Sequence, residues 1–141
     1  MDKQQTLSII KPDAVRRHLA GLINSRIEAQ NLFIIGQKRL RLTKEQAAAF
    51  YHEHEERAFF DDLCQYMSSG PVVVQVLEAP DAIAQYRTLM GATNPSMADE
   101  NTLRREFGLS IDENAIHGSD SLESAAKEIP FFFSQIELFK N

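Results

Sequence analysis

The stretch PVVVQVLE, Pro71 to Glu78, constrains the fold of this chain more than any other segment. Its β-branched residues favour an extended backbone, and its apolar side chains fall on both faces of the strand they would form. Such a strand needs cover above and below and a neighbour along each edge, so the rest of the chain must build a sheet around it. Three further segments can supply neighbours. Thr6 to Lys11 reads as a strand ended by Pro12, which has no N–H to continue a ladder. Leu32 to Leu42 starts apolar and then alternates through Lys38, Arg39, Leu40, Arg41 and Leu42, the mark of a strand with one wet face. Asn114 to His117 forms a short last strand.

Helices fill the intervals. After Gly21, LINSRIEAQ carries Leu22, Ile23 and Ile27 as one apolar stripe. Thr43 and Gln46 form a capping box, and the helix they open puts Ala47, Phe50, Tyr51 and His54 on one face. Asp81 caps a helix running to Met90, with Ile83, Tyr86 and Met90 inward and Gly91 as its stop. Asp120 and Glu123 signal another helix start, near Ser121 and ahead of Pro130. Ala92 to Asn114 has little strand character, and a loop of that length in a compact domain is usually functional. The order strand, helix, strand, strand, helix, strand predicts an α+β fold of ferredoxin-like βαββαβ type, a four-stranded antiparallel sheet covered by helices. No repeat or linker divides residues 1–141, and one domain is expected.

Fold class leaves function open, and composition narrows it. The formal net charge is -5, which argues against nucleic-acid binding through a broad basic surface. No apolar run approaches the roughly 20 residues of a membrane span. MDKQQTLSII lacks the basic flank and apolar core of a signal peptide, and one cysteine, Cys64, cannot close an internal disulfide. A cytoplasmic protein is expected. Cys64 lies in the apolar run DLCQYM and reads as a packing residue.

NAIHGSDS, Asn114 to Ser121, is the stretch with chemical character. His18, His52 and His54 sit in polar, helix-like contexts and read as solvated. His117 differs. Gly118 beside it would admit a ligand, Ser119 and Asp120 offer hydrogen bonds, and a helix starting near Ser121 would aim free N–H groups at an anion. Other phosphate devices are missing: none of the six glycines precedes a lysine, which excludes a P-loop, and there is no G-x-G-x-x-G, kinase catalytic loop or zinc spacing.

NAIHGSDS resembles the active-site signature of the nucleoside diphosphate kinases, in which the histidine is transiently phosphorylated. SIIKPDAV, FYHEHEERAFFDDL, SGPVVVQVLE, MGATNP, TLRREF and SAAKEI resemble further family segments in the same order, so the likeness covers nearly the whole chain. It implies transfer of the γ-phosphate of a nucleoside triphosphate to a nucleoside diphosphate by a ping-pong route. His117 would be the phosphate acceptor, Glu128 would hold its other ring nitrogen, and Ser119 would support that geometry. Lys11, Tyr51, Arg87, Thr93, Arg104 and Asn114 match positions that contact phosphates, ribose or the surroundings of the histidine. Phe59 and Ile111 match the pair that sandwiches the base, with broad tolerance for base and sugar. Mg²⁺ would arrive on the nucleotide phosphates with no direct protein ligand. The resemblance also implies a homo-oligomer built from dimers, with tetramers slightly favoured over hexamers, and no membrane or specific nucleic-acid partner.

Charge spread over phosphoryl oxygens calls for positioning and cations, which two arginines and a lysine provide. Three positions depart from the family pattern: Ala58 stands for a usual proline, Asn101 for a glycine and Glu106 for an aspartate. Two other classes share parts of the pattern. An RNA-binding module of the same strand order would need base-stacking aromatics on a basic sheet, and a histidine phosphatase would need an R-H-G core; neither is present.

Overall fold

The computed structural model describes residues 2–140. The chain runs through β1 (Gln4–Ile10), α1 (Pro12–Arg16), α2 (Ala20–Ala29), β2 (Phe33–Leu40), α3 (Lys44–Phe50), α4 (Phe60–Met67), β3 (Val72–Ala79), α5 (Ala82–Met90), α6 (Leu103–Phe107), β4 (Ile116–Gly118) and α7 (Leu122–Phe132), with short 3₁₀ turns between some of them. The sheet order is β2-β3-β1-β4, and every neighbouring pair is antiparallel. This is the expected α+β architecture. β3 is buried at all eight positions, as a strand apolar on both faces requires.

Alternation along the strands divides the interior into two cores. Ile10, Val73, Leu77 and Ile116 face α1, α2, α5 and α6, where Ile23, Ile27, Tyr86 and Leu103 meet them. Leu7, Ile9, Val72, Val74 and Val76 face the other way, against Ala47, Tyr51, Cys64, Met67 and Phe132 of the α3, α4 and α7 side. Each fully buried side chain of this size contributes about 1.5–3 kcal/mol, and Leu7→Ala in the second core would cost about 2–5 kcal/mol. On the first face the register aligns Gln37, Gln75, Ser8 and Gly118 across all four strands. The buried polar groups of that row, Ser8 and Gln75, are satisfied: exposed Gln37 bonds Gln75 at 2.7 Å, Gln75 bonds Ser8 at 3.3 Å, and Ser8 bonds the Tyr86 hydroxyl at 2.8 Å.

Several local expectations are met. Thr43 and Gln46 make the reciprocal capping box of α3, Cys64 is buried, and Gly91 ends α5 at φ 84°, a conformation that penalises any Cβ. Others are corrected. Leu22 is 56% exposed, so the α2 stripe is Ile23 and Ile27 alone. Asp81 sits at the N-terminus of α5 in a left-handed conformation, φ 57°, from which its side chain makes no cap; Gln4 Oε1 accepts the Ile83 N–H instead, at 2.9 Å. Ser121, not Asp120, caps α7, accepting from the Ser124 N–H, and the helix runs through Pro130 to Phe132. Proline there falls in the last turn and removes only one intrahelical donor.

Two of the three departures from the family pattern meet at one arginine. Arg26 of α2 donates to the carboxylate of Glu106 and to the carbonyl of Asn101. Asn101 has φ 69°, a region that asparagine tolerates better than other residues with a Cβ. Ala58 is the second residue of a turn closed by Phe60 N–H to the Arg57 carbonyl at 3.1 Å, with Phe59 third at φ -83°, ψ -3°. Those angles are the type I turn values for that position.

Candidate active site

The β1–β4 register decides which way His117 points. His117 is opposite Ile9, and directly paired antiparallel residues share a face, so its ring enters the α3 and α7 side of the sheet. Phe50 and Tyr51, at the end of α3, pack edge-on against it with ring centroids 5.6 and 6.3 Å away. From α7, Glu128 reaches back across eleven residues to place Oε1 2.9 Å from His117 Nε2. The same oxygen accepts from Ser119 Oγ at 2.9 Å, and Ser119 in turn accepts the Leu7 N–H at 3.1 Å, which ties the carboxylate to β1. With Nε2 as the donor, the lone pair of the neutral ring lies on Nδ1, which has no protein hydrogen-bond partner among the described residues.

His117 lines a cleft of about 160 Å³ with Phe50, Tyr51, His54, Arg87, Thr93, Arg104 and Asp120. Thr93 and Arg104 are shared with a second cleft of about 510 Å³, which Lys11, Phe59, Tyr66, Ile111 and Asn114 also line. Every site residue singled out from the sequence is therefore at or beside this double cleft. Ser119 is the one behind it, acting through Glu128. Phe59 and Ile111 are 47% and 56% exposed, which no core role explains.

The cations are held in different ways. Lys11, at the N-cap of α1, is buried and donates to Asn114 Oδ1 at 2.8 Å, while Asn114 Nδ2 bonds the Thr93 carbonyl at 3.0 Å. Burial, and then the charge of Arg104, lowers the Lys11 pKa to about 8. Burial also lowers that of Arg104, whose Nη atoms bond the carbonyls of Gly91 and Ile116 at 3.2 and 3.0 Å while its buried Nε has no partner among the described residues. Arg87 is half-exposed and pairs with Asp120 at 2.6 Å. Tyr51 is buried with no hydroxyl partner among the described residues, and burial followed by the Glu128 charge pushes its ionisation far upward, so it serves as a neutral wall.

The loop entering β4 is tightly turned. Ile116 N–H bonds the Asn114 carbonyl at 2.9 Å with Ala115 between them at φ 77°, the rare γ-turn.

Gly118 lines the His117 cleft, and packing also requires glycine there: a Cβ on it would meet Met90 Sδ at 2.5 Å and the Tyr86 ring at 2.8 Å. One sequence reading is corrected here. His54 lines the His117 cleft and lies 6.0 Å from the Phe59 ring, so it is not simply solvated. Sequence reasoning also misses Phe50 and Tyr66 as cleft residues. Both belong to apolar helical patterns with no separate signal, whereas Asp120, read as a hydrogen-bonding neighbour of His117, lines its cleft.

Sheet, cleft and cations define an enzyme domain with a histidine set in a cleft whose cations suit an anionic substrate. The family model described as nucleoside diphosphate kinase matches residues 4–138. Nucleoside diphosphate kinases of Maricaulis maris (strain MCS10) and Rhodovulum sulfidophilum are 62% and 58% identical over 135 residues, 96% of each chain in both cases. Among solved structures, the Aquifex aeolicus nucleoside diphosphate kinase superposes with a TM-score of 0.95 at 44% identity, over 97% of this chain and 99% of that one. A halophilic nucleoside diphosphate kinase from Halobacterium salinarum, in complex with CDP, gives 0.94 at 40% identity, over 99% and 93%. The chain belongs to the nucleoside diphosphate kinase family and is a phosphotransferase.

Proposed function

We propose that the reaction runs by ping-pong through phospho-His117. The observation that carries this reading is the pair of bonds on Glu128, which engages Nε2 and leaves Nδ1 as the nucleophile. Nδ1 attacks the γ-phosphorus of a nucleoside triphosphate, the bond to the bridging oxygen breaks, and the diphosphate leaves. A second diphosphate then attacks the phosphorus through a β-phosphate oxygen, and the P–N bond breaks. Each half-reaction leaves the enzyme ready for the other.

Lys11, Arg87 and Arg104 offset charge on the peripheral oxygens, and Asn114 and Thr93 orient phosphate or ribose. Phe59 and Ile111 hold the base by apolar contact, which every base can make. The nucleotide enters as its magnesium complex. The cleft is lined by three cations, and its carboxylates, Glu53, Asp62, Asp112, Asp120 and Glu128, form no metal-holding cluster among the described residues, which suits an ion carried by the phosphates. The Halobacterium salinarum enzyme was solved in complex with CDP, which supports a nucleotide as the ligand of this chain.

We also propose that copies assemble as dimers. β2 is an edge strand, and Phe33, Ile136 and Phe139 beside it are exposed. Light scattering over a concentration series checks this, and a monomer throughout would refute it. No helix among the described residues is long and apolar enough to cross a membrane. A cytoplasmic site of action is the reading that fits the lone buried cysteine. The central test is incubation with γ-labelled ATP and Mg²⁺ without acceptor. Wild-type protein takes up acid-labile label and His117→Ala takes up none; wild-type transfer by that variant would end the proposal.

A further inference from the structure

Tyr66 lines the larger cleft and Asp13 lies behind it, and the pair joins two of its walls. The Tyr66 hydroxyl donates to Asp13 Oδ1 and accepts the Asp13 N–H at 3.2 Å. The other carboxylate oxygen, Oδ2, accepts from Arg17 Nη2 at 3.2 Å. Arg17 Nε bonds the Asp13 carbonyl at 3.1 Å, and Arg17 Nη2 also donates to the carbonyl of Phe107. The Asp13 side chain is 0% exposed, so these contacts are shielded from competing water.

The elements joined are those that carry the proposed nucleotide contacts. Tyr66 is in α4, which Phe59 immediately precedes as its N-cap residue. Asp13 is in the first turn of α1, two residues after Lys11. Phe107 ends α6 and leads into the loop of Ile111 and Asn114. A shift of α4 away from α1 would move Phe59 relative to Lys11, and so separate the base contact from the phosphate contact.

We propose that Tyr66 and Asp13 are positioning residues for the nucleotide, setting the distance between the base wall on α4 and the phosphate lysine on α1. The inference rests on the reading of this cleft as the nucleotide site. A geometric clamp of this kind acts on affinity more than on the chemical step, because His117 and Glu128 are held by β4, α7 and β1 instead. Asp13 has a second effect through its charge. The charged groups facing Lys11 are Arg104 from α6, Asp112 from the following loop and Asp13 from its own helix, and the two carboxylates favour the ammonium.

The test uses Tyr66→Phe and Asp13→Asn in the full chain, with Mg·ADP affinity by calorimetry and the saturated single-turnover rate of His117 phosphorylation. Tyr66→Phe keeps the ring and is expected to weaken Mg·ADP about ten- to a hundredfold, the scale of one hydrogen bond to a buried charge, while the saturated rate changes less than about threefold. Asp13→Asn keeps an acceptor for the tyrosine and is expected to weaken binding and also move the alkaline limb of kcat/KM to lower pH. A purely structural role would lower the melting temperature without moving that limb. Phe59→Ala is run beside them. If it leaves Mg·ADP affinity unaltered, the cleft reading fails and the clamp falls with it. If it weakens binding while Tyr66→Phe binds within twofold of wild type, the clamp alone is overturned. Should Asp13→Asn not fold, Tyr66→Phe decides.

Discussion

Replacing Glu128 with Gln isolates the electrostatic part of the His117 pair. The amide oxygen can still accept from Nε2 and from Ser119, so the 2.9 Å contacts can survive while the charge is lost. Attack by Nδ1 develops positive charge on the ring. Two unit charges 2.9 Å apart interact by about 6 kcal/mol at an effective dielectric constant of about 20. With about half the ring charge developed, the stake is about 3 kcal/mol, or roughly a hundredfold in rate. Side-chain exposures of 19% and 15% admit some solvent screening, which makes this an upper figure. The expected loss in kcat is therefore roughly ten- to a hundredfold, within the range for a single acid–base or electrostatic partner. Nucleotide affinity should change only a few-fold, since Glu128 lies behind the ring. Rapid-quench measurement of His117 phosphorylation, with the Mg·ADP Kd determined separately, tests both halves. An unchanged rate would refute the electrostatic argument, and a large loss of affinity at constant rate would make Glu128 a binding residue.

Lys11 gives a pH prediction. Its native pKa, about 8, lies below the ordinary 10.5, so the cation is present below about pH 8 and lost above it; kcat/KM should fall on that side, with the kcat limb higher because bound phosphates restabilise the charge. For stability the sign is opposite: the unfolded chain binds more protons between about pH 8 and 10.5, so the cost of burying this cation is fully present below 8 and relieved as pH rises. A kcat/KM profile flat to pH 10 would refute both statements. Ala58→Pro fits the second position of the type I turn at Arg57–Phe60 and should add about 0.4–1 kcal/mol, read as a rise of a few degrees in melting temperature with little change in activity. A fall would mean that the turn cannot accept proline. Exchanging purine for pyrimidine should alter kcat/KM by about one to two orders of magnitude, and a strict requirement for one base would reveal hydrogen-bond readout in the cleft.

The features legible in the sequence are those written in local pattern. PVVVQVLE announces the central strand, and β3 is buried throughout. Thr43 and Gln46 announce a cap that forms. Asp81 and Asp120 carry the same local signal and fail for tertiary reasons, because Gln4 from β1 takes the helix N–H in one case and Arg87 takes the carboxylate in the other. The return of Glu128 to His117 is visible in the sequence only as a spacing, and it needs the helix start at Ser121 to become geometry. Tyr66 and Asp13 have no pattern at all: 53 residues separate them, and an apolar helix face hides a tyrosine whose hydroxyl matters.

The γ-turn at Ala115 shows why the site needs contacts from so many elements. A non-glycine residue at φ 77° is strained, typically by about 1–3 kcal/mol, and persists only where surroundings over-determine it. Here the turn presents consecutive carbonyls to the two residues that carry site cations: Ala115 accepts the backbone N–H of Lys11 at 2.8 Å, and Ile116 accepts Arg104 Nη2 at 3.0 Å. Ile116 then enters the first core fully buried, and His117 is directed to the opposite face. A relaxed turn would extend the chain past Lys11 and shift the register that aims the histidine. The strain is thus offset by the contacts that bring lysine, arginine and histidine to one cleft.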